Sequence, residues 1–434
     1  MPTAMNTTLS TLQLPVRWYW AGVARMVDAS GRDERTLVDR CQLCVRIFYG
    51  YVFMLAFRLS AYSVTRFWKN DSWPDKLSLW LSDLFPVAQW QLVSLVATLT
   101  VAVASVLCML WPSLRLPRIA VAVALPVYWA IQFDMKGKID HGQHLVFWTA
   151  IAFAALPSLP SASTAEPSRL RAYVGMFVGA QAFIGLTYTC AGICKLLGAY
   201  YDFSEGMTWF HPDALPLHIA AGWKRAEATL LGPVLITRPG LSFVLNQLTL
   251  YLELCALAAV FSPHVMRLWG VALLGMHLSI MLTMNISFGN GVMPLVLLLV
   301  VSPLAPDRFQ LRAMLEGLPV IGFVIRRLRG DKAGPVGMDA ADAVRSRFVR
   351  WCVPGALVIY FLVGFSRFEP ARPRFGQDIF PISAMPMFWR TRNDAKNVAR
   401  LAKIRDELAT GDHSTLQRYV PPKPKPRSKS NKRK

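Results

Sequence analysis

Charge is scarce in this sequence. Asp, Glu, Lys and Arg make up 17% of its 434 residues, against about 25% in ordinary soluble chains. Apolar residues make up 54% and mean hydropathy is +0.35. That balance excludes disordered, fibrous and ordinary soluble globular chains. Acidic residues are scarcer still, 26 against 47 Lys and Arg, for a net charge of +21. The basic excess is not gathered as a nucleic-acid patch. It lies between apolar blocks and in the terminal run PPKPKPRSKSNKRK, where anionic headgroups attract it. The expected partner is therefore the lipid bilayer, and no nucleic acid is expected. Cysteines number seven, mostly inside apolar blocks, which excludes a disulfide framework. Cys41 and Cys44 form a CxxC with no second pair at zinc spacing. Cys190 and Cys194, four apart on one helix face, read as small packing residues. Residues 1–40 carry Arg17, Arg25, Asp28, Arg32 and Glu34 and no adequate apolar core, so no cleavable signal peptide is expected. No internal repeat is visible.

What is present is a series of apolar blocks longer than a buried strand requires. In hydrocarbon a backbone must satisfy its own hydrogen bonds, so such blocks read as transmembrane helices. The fold class is all-α, a polytopic transmembrane bundle of about eight or nine spans. The blocks are 45–64, 90–111, 118–133, 144–160, 173–198, 241–262, 265–285, 291–303 and 349–366; 291–303 is short and reads as tilted or partly re-entrant. The domain reading is an N-terminal cytoplasmic arm (1–43), a bundle (44–303), a basic connection (304–348), a last helix (349–366), a small extension (367–419) and a disordered basic tail (420–434). Arg308, Arg312, Arg326, Arg327, Arg329 and Lys332 mark the connection as cytoplasmic by the positive-inside rule. A multi-pass protein of the cell inner membrane is expected.

Ionisable groups inside such blocks are the informative ones, because a charge at the bilayer centre costs roughly 2.5 kcal/mol or more unless it is paired or used. Lys195, in AGICKLL, ends a long apolar helix. Apolar surroundings disfavour the charged form of an amine, which then serves as a general base; the alternative is a lysine snorkelling to the headgroups. His141 and His144, in DHGQH, share a helix face. Without further ligands at a recognisable spacing they predict no metal site, and read instead as interfacial hydrogen-bonding residues or catalytic donors. Glu253, in LTLYLELCALAAVF, and His277, in LLGMHLSIMLTMN, lie too deep to snorkel. They read either as lining groups of a site or as a structural pair, with each other or with Arg58.

The stretch Tyr188–Gly206 (YTCAGICKLLGAYYDFSEG) resembles the signature of the HTTM (horizontally transferred transmembrane) domain family, bacterial relatives of the vitamin K-dependent γ-carboxylases. In that family Phe/Tyr-x-x-Ala-Gly-x-x-Lys-Leu is followed by an aromatic residue and a Gly. Arg46–Gly50 is similar to the family's first-helix motif, and Asp134–His144 to its Asp-Lys…Asn-His segment. LYLELCALAAVFSP and MHLSIMLTMNISFGN are similar to its acidic and histidine helices, and FPISAMPMFW to a piece that follows the bundle. The order and approximate spacing of the five motifs before FPISAMPMFW agree over residues 45–303. The resemblance implies that Lys195 is a catalytic base, with His141 or His144 assisting it. Glu253 and His277 would line the site, and the cofactor would be a reduced quinone; Arg58 is a further candidate lining residue read from the sequence itself. Departures are Cys194 where the animal carboxylases have a second Lys, and Tyr201 or Phe203 where a Trp is usual. After the last span only residues 367–434 follow, where carboxylases carry a large extracytoplasmic domain.

The expected function is lysine-based proton abstraction from a reduced quinone or other lipid-soluble small molecule. The other readings are a non-catalytic membrane scaffold or small-molecule carrier, in which Lys195 pairs with Glu253, and a transporter relaying protons through Glu253 and His277. The last is weakened by the lack of repeated halves.

Overall fold

The computed structural model describes residues 2–67, 89–136, 143–159, 165–201, 208–222, 229–286, 289–308, 310–329, 347–366 and 395–411. Every regular element among them is helical. In chain order these are α1 (Pro2–Ser30), α2 (Glu34–Phe67), α3 (Trp90–Leu110), α4 (Arg115–Lys136), α5 (His144–Ala154), α6 (Pro167–Tyr201), α7 (Ala214–Gly222), α8 (Gly232–Thr237) and α9 (Pro239–Leu254). There follow α10 (Ala256–Val260), α11 (Pro263–Met284), α12 (Gly289–Leu295), a π-helical turn (Val296–Val300), α13 (Leu311–Gly317), α14 (Ile321–Leu328), α15 (Arg347–Ser366) and α16 (Ala395–Thr410).

Among the described residues four helices are long and apolar enough to cross a membrane: Glu34–Arg58, Leu92–Leu110, Pro167–Leu197 and Pro263–Met284. Other expected spans take shorter forms. The block 144–160 holds an 11-residue helix, about 17 Å of rise against a hydrocarbon core of about 30 Å. The block 241–262 is broken at Cys255 into α9 and α10, and 291–303 is a short helix running into the π-helical turn. All seven cysteines are free thiols.

The chain forms two compact units. The first comprises Met1–Cys190, Glu253–Leu274 and Gly289–Met385; the second comprises Ala191–Leu252, Gly275–Phe288 and Pro386–Lys434.

In the first unit aromatic rings join α2, α5 and α6. Phe48 meets Phe153 edge-on at 5.1 Å, and Phe153 stacks on Phe177 at 5.7 Å. The polar groups buried there are matched to helix interruptions. Arg118, fully buried, donates to the carbonyls of Leu114 (3.0 Å) and Phe153 (2.8 Å). Its fork also reaches the carbonyls of Ser113 and Pro157. The guanidinium thus caps the C-terminal carbonyls of α5, which carry the negative end of that helix's dipole. Gln181, also fully buried, donates to the Leu298 carbonyl (2.6 Å) in the π-helical turn and to Ser302 Oγ (2.7 Å). A π-turn shifts its carbonyls out of the α register, and Gln181 supplies a donor to one of them.

The break at Cys255 is served in the same way. Thr189 Oγ1 donates to the Leu254 carbonyl (3.3 Å) and accepts from the Leu257 amide (3.1 Å). Close approach makes this reach feasible. A Cβ on Gly185 would lie 2.9 Å from the Leu257 Cα, so α6 and α10 meet backbone to backbone, as small residues allow in membrane helices.

The second unit has its own core. Leu217, Ile219 and Ala220 of α7, Leu235 and Ile236 of α8, and Met284 pack with Leu401 and Ile404 of α16. Arg405 fixes the arrangement, donating to the Ile236 carbonyl (3.0 Å) and pairing with Asp213. The extension expected at 367–419 therefore contributes an amphipathic helix to this core, with Leu401, Ile404 and Leu408 at helical spacing on one face.

Candidate functional site

Lys195 stands near the end of α6, and its side chain is folded inward. It is 4% exposed, so it does not snorkel outward. Its Nζ lies 5.1 Å from the centroid of the Trp209 ring, within cation–π range. Trp209, itself buried, stacks on His218 of α7 with centroids 4.8 Å apart and planes 17° from parallel. His218 is 4% exposed. His277 of α11 lies within electrostatic reach of Lys195. Amine, indole and two imidazoles thus belong to the second unit.

Trp209 sits in a turn rather than a helix, and its position is set by its backbone. Its carbonyl accepts from Asn246 Nδ2 (2.7 Å) and Gln247 Nε2 (3.2 Å), both on α9. The following residues lead directly into α7: the Asp213 amide donates to His211 Nδ1 at 3.1 Å, and the Leu217 amide bonds the Asp213 carbonyl. The indole is therefore pinned at one end by α9 and at the other by the start of α7.

The remaining sequence-derived residues are distributed differently. His144 opens α5 in the first unit and is 1% exposed. Glu253, 6% exposed, lies in the first unit in electrostatic contact with Tyr188, beside the Thr189 contact to the helix break. Arg58 is exposed on α2, near Tyr51, whose hydroxyl donates to the Asn290 carbonyl at 3.2 Å. His141 lies outside the described residues, as does the segment FPISAMPMFW.

Sequence reasoning missed Trp209, His218 and Asn246. The criterion that singled out His277, an ionisable group within an apolar run, also selects His218 in ALPLHIAAG. Nothing in the sequence marks Asn246, whose importance is its bond to a carbonyl 37 positions away.

Comparison with known protein families, with curated proteins and with solved structures found no match for this chain.

Proposed function

We propose that this is a multi-pass protein of the inner membrane, HTTM-like, with about eight or nine spans. In this reading Lys195 acts as a general base toward the hydroxyl of a reduced quinone or a similarly acidic lipid-soluble molecule. The observation that carries the reading is the buried amine of Lys195 over Trp209, with His218 stacked on the indole and His277 within electrostatic reach.

The amine is withdrawn from solvent and stands over the indole face. A base of this kind takes the hydroxyl proton onto Nζ, and the electron pair of the broken O–H bond remains on oxygen. His277, within electrostatic reach of Lys195, then takes the assisting role that the resemblance gave to His141 or His144, and His218 steadies the indole by stacking on it. The donor set of an amine and two imidazoles fits a hydroquinone hydroxyl. The quinol would supply the acidic hydroxyl and the reactivity toward oxygen. The chain would supply the proton acceptor and a site shielded from water.

The test is oxygen consumption by the purified protein in lipid with reduced naphthoquinone or benzoquinone. Quinol-dependent consumption is expected, and Lys195→Ala should lower it by about 10²-fold or more, the usual contribution of a general base. Helical content should be unchanged. Undiminished turnover in a folded Lys195→Ala protein removes the assignment.

A further inference from the structure

A second site lies wholly in the first unit, apart from the residues used above. Between α5, α6 and α15 is a cavity of about 260 Å³. Three aromatic rings form its frame. Trp148 and Phe183 lie nearly parallel, with centroids 5.7 Å apart and an interplanar angle of 6°. Tyr360 stands edge-on to both, at 4.9 and 6.0 Å. Ala152, Cys352 and Ala356 are among the residues that complete the wall. The wall is almost wholly hydrocarbon. The Tyr360 hydroxyl is turned to Thr187 Oγ1, 3.4 Å away. A slot of this composition offers water few polar partners and suits an apolar guest.

The surroundings indicate which guest. On α15 the neighbouring residues Val358, Ile359 and Leu362 are exposed and apolar, the kind of surface that faces lipid chains. The same helix begins with Arg347 and Arg350 in sequence. Cys352 follows Arg347 by five residues, about 7.5 Å of helical rise. The level of Cys352 in the slot is therefore about a turn and a half from the first arginine of the helix. Basic residues at that level attract anionic headgroups.

We infer that this cavity holds one acyl chain of an anionic bilayer phospholipid, whose headgroup lies at the arginine-rich start of α15. Filling the slot between α5, α6 and α15 makes the lipid a structural ligand of the first unit. No bond is made or broken.

Native mass spectrometry of the full-length protein, released from bilayers of phosphatidylglycerol and phosphatidylethanolamine with added isoprenoid quinone, tests this. One phosphatidylglycerol retained per chain is expected. Ala356→Phe, which fills the slot, should reduce retention about tenfold. Ala152→Leu, a smaller filling, should reduce it in the same direction if Ala356→Phe does not fold. Arg347→Gln with Arg350→Gln should keep a bound lipid but lose the preference for phosphatidylglycerol. The inference is overturned if the unaltered protein retains no lipid, or retains the quinone or phosphatidylethanolamine instead. It is equally overturned if the folded cavity-filling variants retain phosphatidylglycerol undiminished, or if the arginine variant keeps its preference. Oxygen consumption with quinol reports on Lys195 separately, so either assignment can fail without the other.

Discussion

Asn246 Nδ2 donates to the carbonyl of Trp209 at 2.7 Å, and through that bond a buried amide on one helix sets the indole that faces the Lys195 amine. Both Asn246 and Trp209 are nearly inaccessible, so the bond does not compete with solvent. Asn246→Leu removes the shorter of the two side-chain contacts to the Trp209 carbonyl and keeps the longer one from Gln247. A loss of about 1–3 kcal/mol in denaturant unfolding is expected, the range for a buried polar group deprived of its partner. Quinol-dependent oxygen consumption should fall with it, because the indole loses its anchor. A stable, fully active Asn246→Leu protein would show that the turn holds itself.

Trp209 can be tested directly by comparing two replacements. Trp209→Phe keeps an aromatic face for Lys195 and a ring for His218 to stack on. Trp209→Leu keeps bulk but no π-face. The difference between them isolates the cation–π and stacking contributions, about 1–2 kcal/mol when desolvated, or roughly tenfold in rate. Equal activity of the two would reduce Trp209 to a space-filling residue.

Arg118 is a buried cation held by main-chain oxygens, including those of Leu114 and Phe153. Arg118→Leu leaves the C-terminal carbonyls of α5 uncapped in an apolar setting. A destabilisation of about 3 kcal/mol or more is expected, read as a lower midpoint in thermal or denaturant unfolding. Arg118→Lys should rescue it only in part, since an ammonium cannot reproduce the planar fork. Full rescue would mean that charge alone matters there.

Gly185 lies where α6 and α10 meet. Its absent side chain leaves room for the Leu257 Cα and the Ala256 carbonyl, which a Cβ would approach to 2.9 and 3.1 Å. Main-chain atoms cannot swing aside as a flexible side chain does. Gly185→Ala should therefore separate the helices, stretch the Thr189 contacts to Leu254 and Leu257, and cost about 1–3 kcal/mol. Retained stability together with retained protection of the Leu257 amide in hydrogen exchange would contradict that close contact.

Asp33 caps the start of α2. Its carboxylate accepts from the amides of Arg35 and Thr36, each at 3.0 Å, and from the Thr36 hydroxyl at 2.7 Å. The Thr36 bonds, the hydroxyl first, pull its pKa below the ordinary carboxylate value of 3.8. A carboxyl depressed on folding contributes stability above its unfolded pKa and loses it as pH falls through the folded value. Amide protection in the first turn of α2 should thus be constant near neutrality and decline only below about pH 4. Asp33→Asn should flatten that decline. A first turn that frays already at pH 5 would show another group to be responsible.

The long apolar runs alone point to a helical protein with segments long and apolar enough to cross a membrane. In hydrocarbon the backbone has no solvent partners, so a run such as Leu92–Leu110 has a helix as its stable form whatever surrounds it. The same reasoning picked out Lys195, His277 and Glu253, because each is an ionisable group where charge is costly. Neighbours were another matter. Lys195 and Glu253 both lie in apolar helices, yet the amine lies over Trp209 and the carboxylate beside Tyr188. Helix interruptions were equally hidden: the break at Cys255 and the π-turn at Val296–Val300 persist because Thr189 and Gln181 reach their backbone groups from α6. Burial along one helix depends on local composition, which a sequence states outright. Which side chain faces which, and which orphaned carbonyl finds a donor, depends on contacts between segments far apart in the chain, and those exist only once the helices have packed.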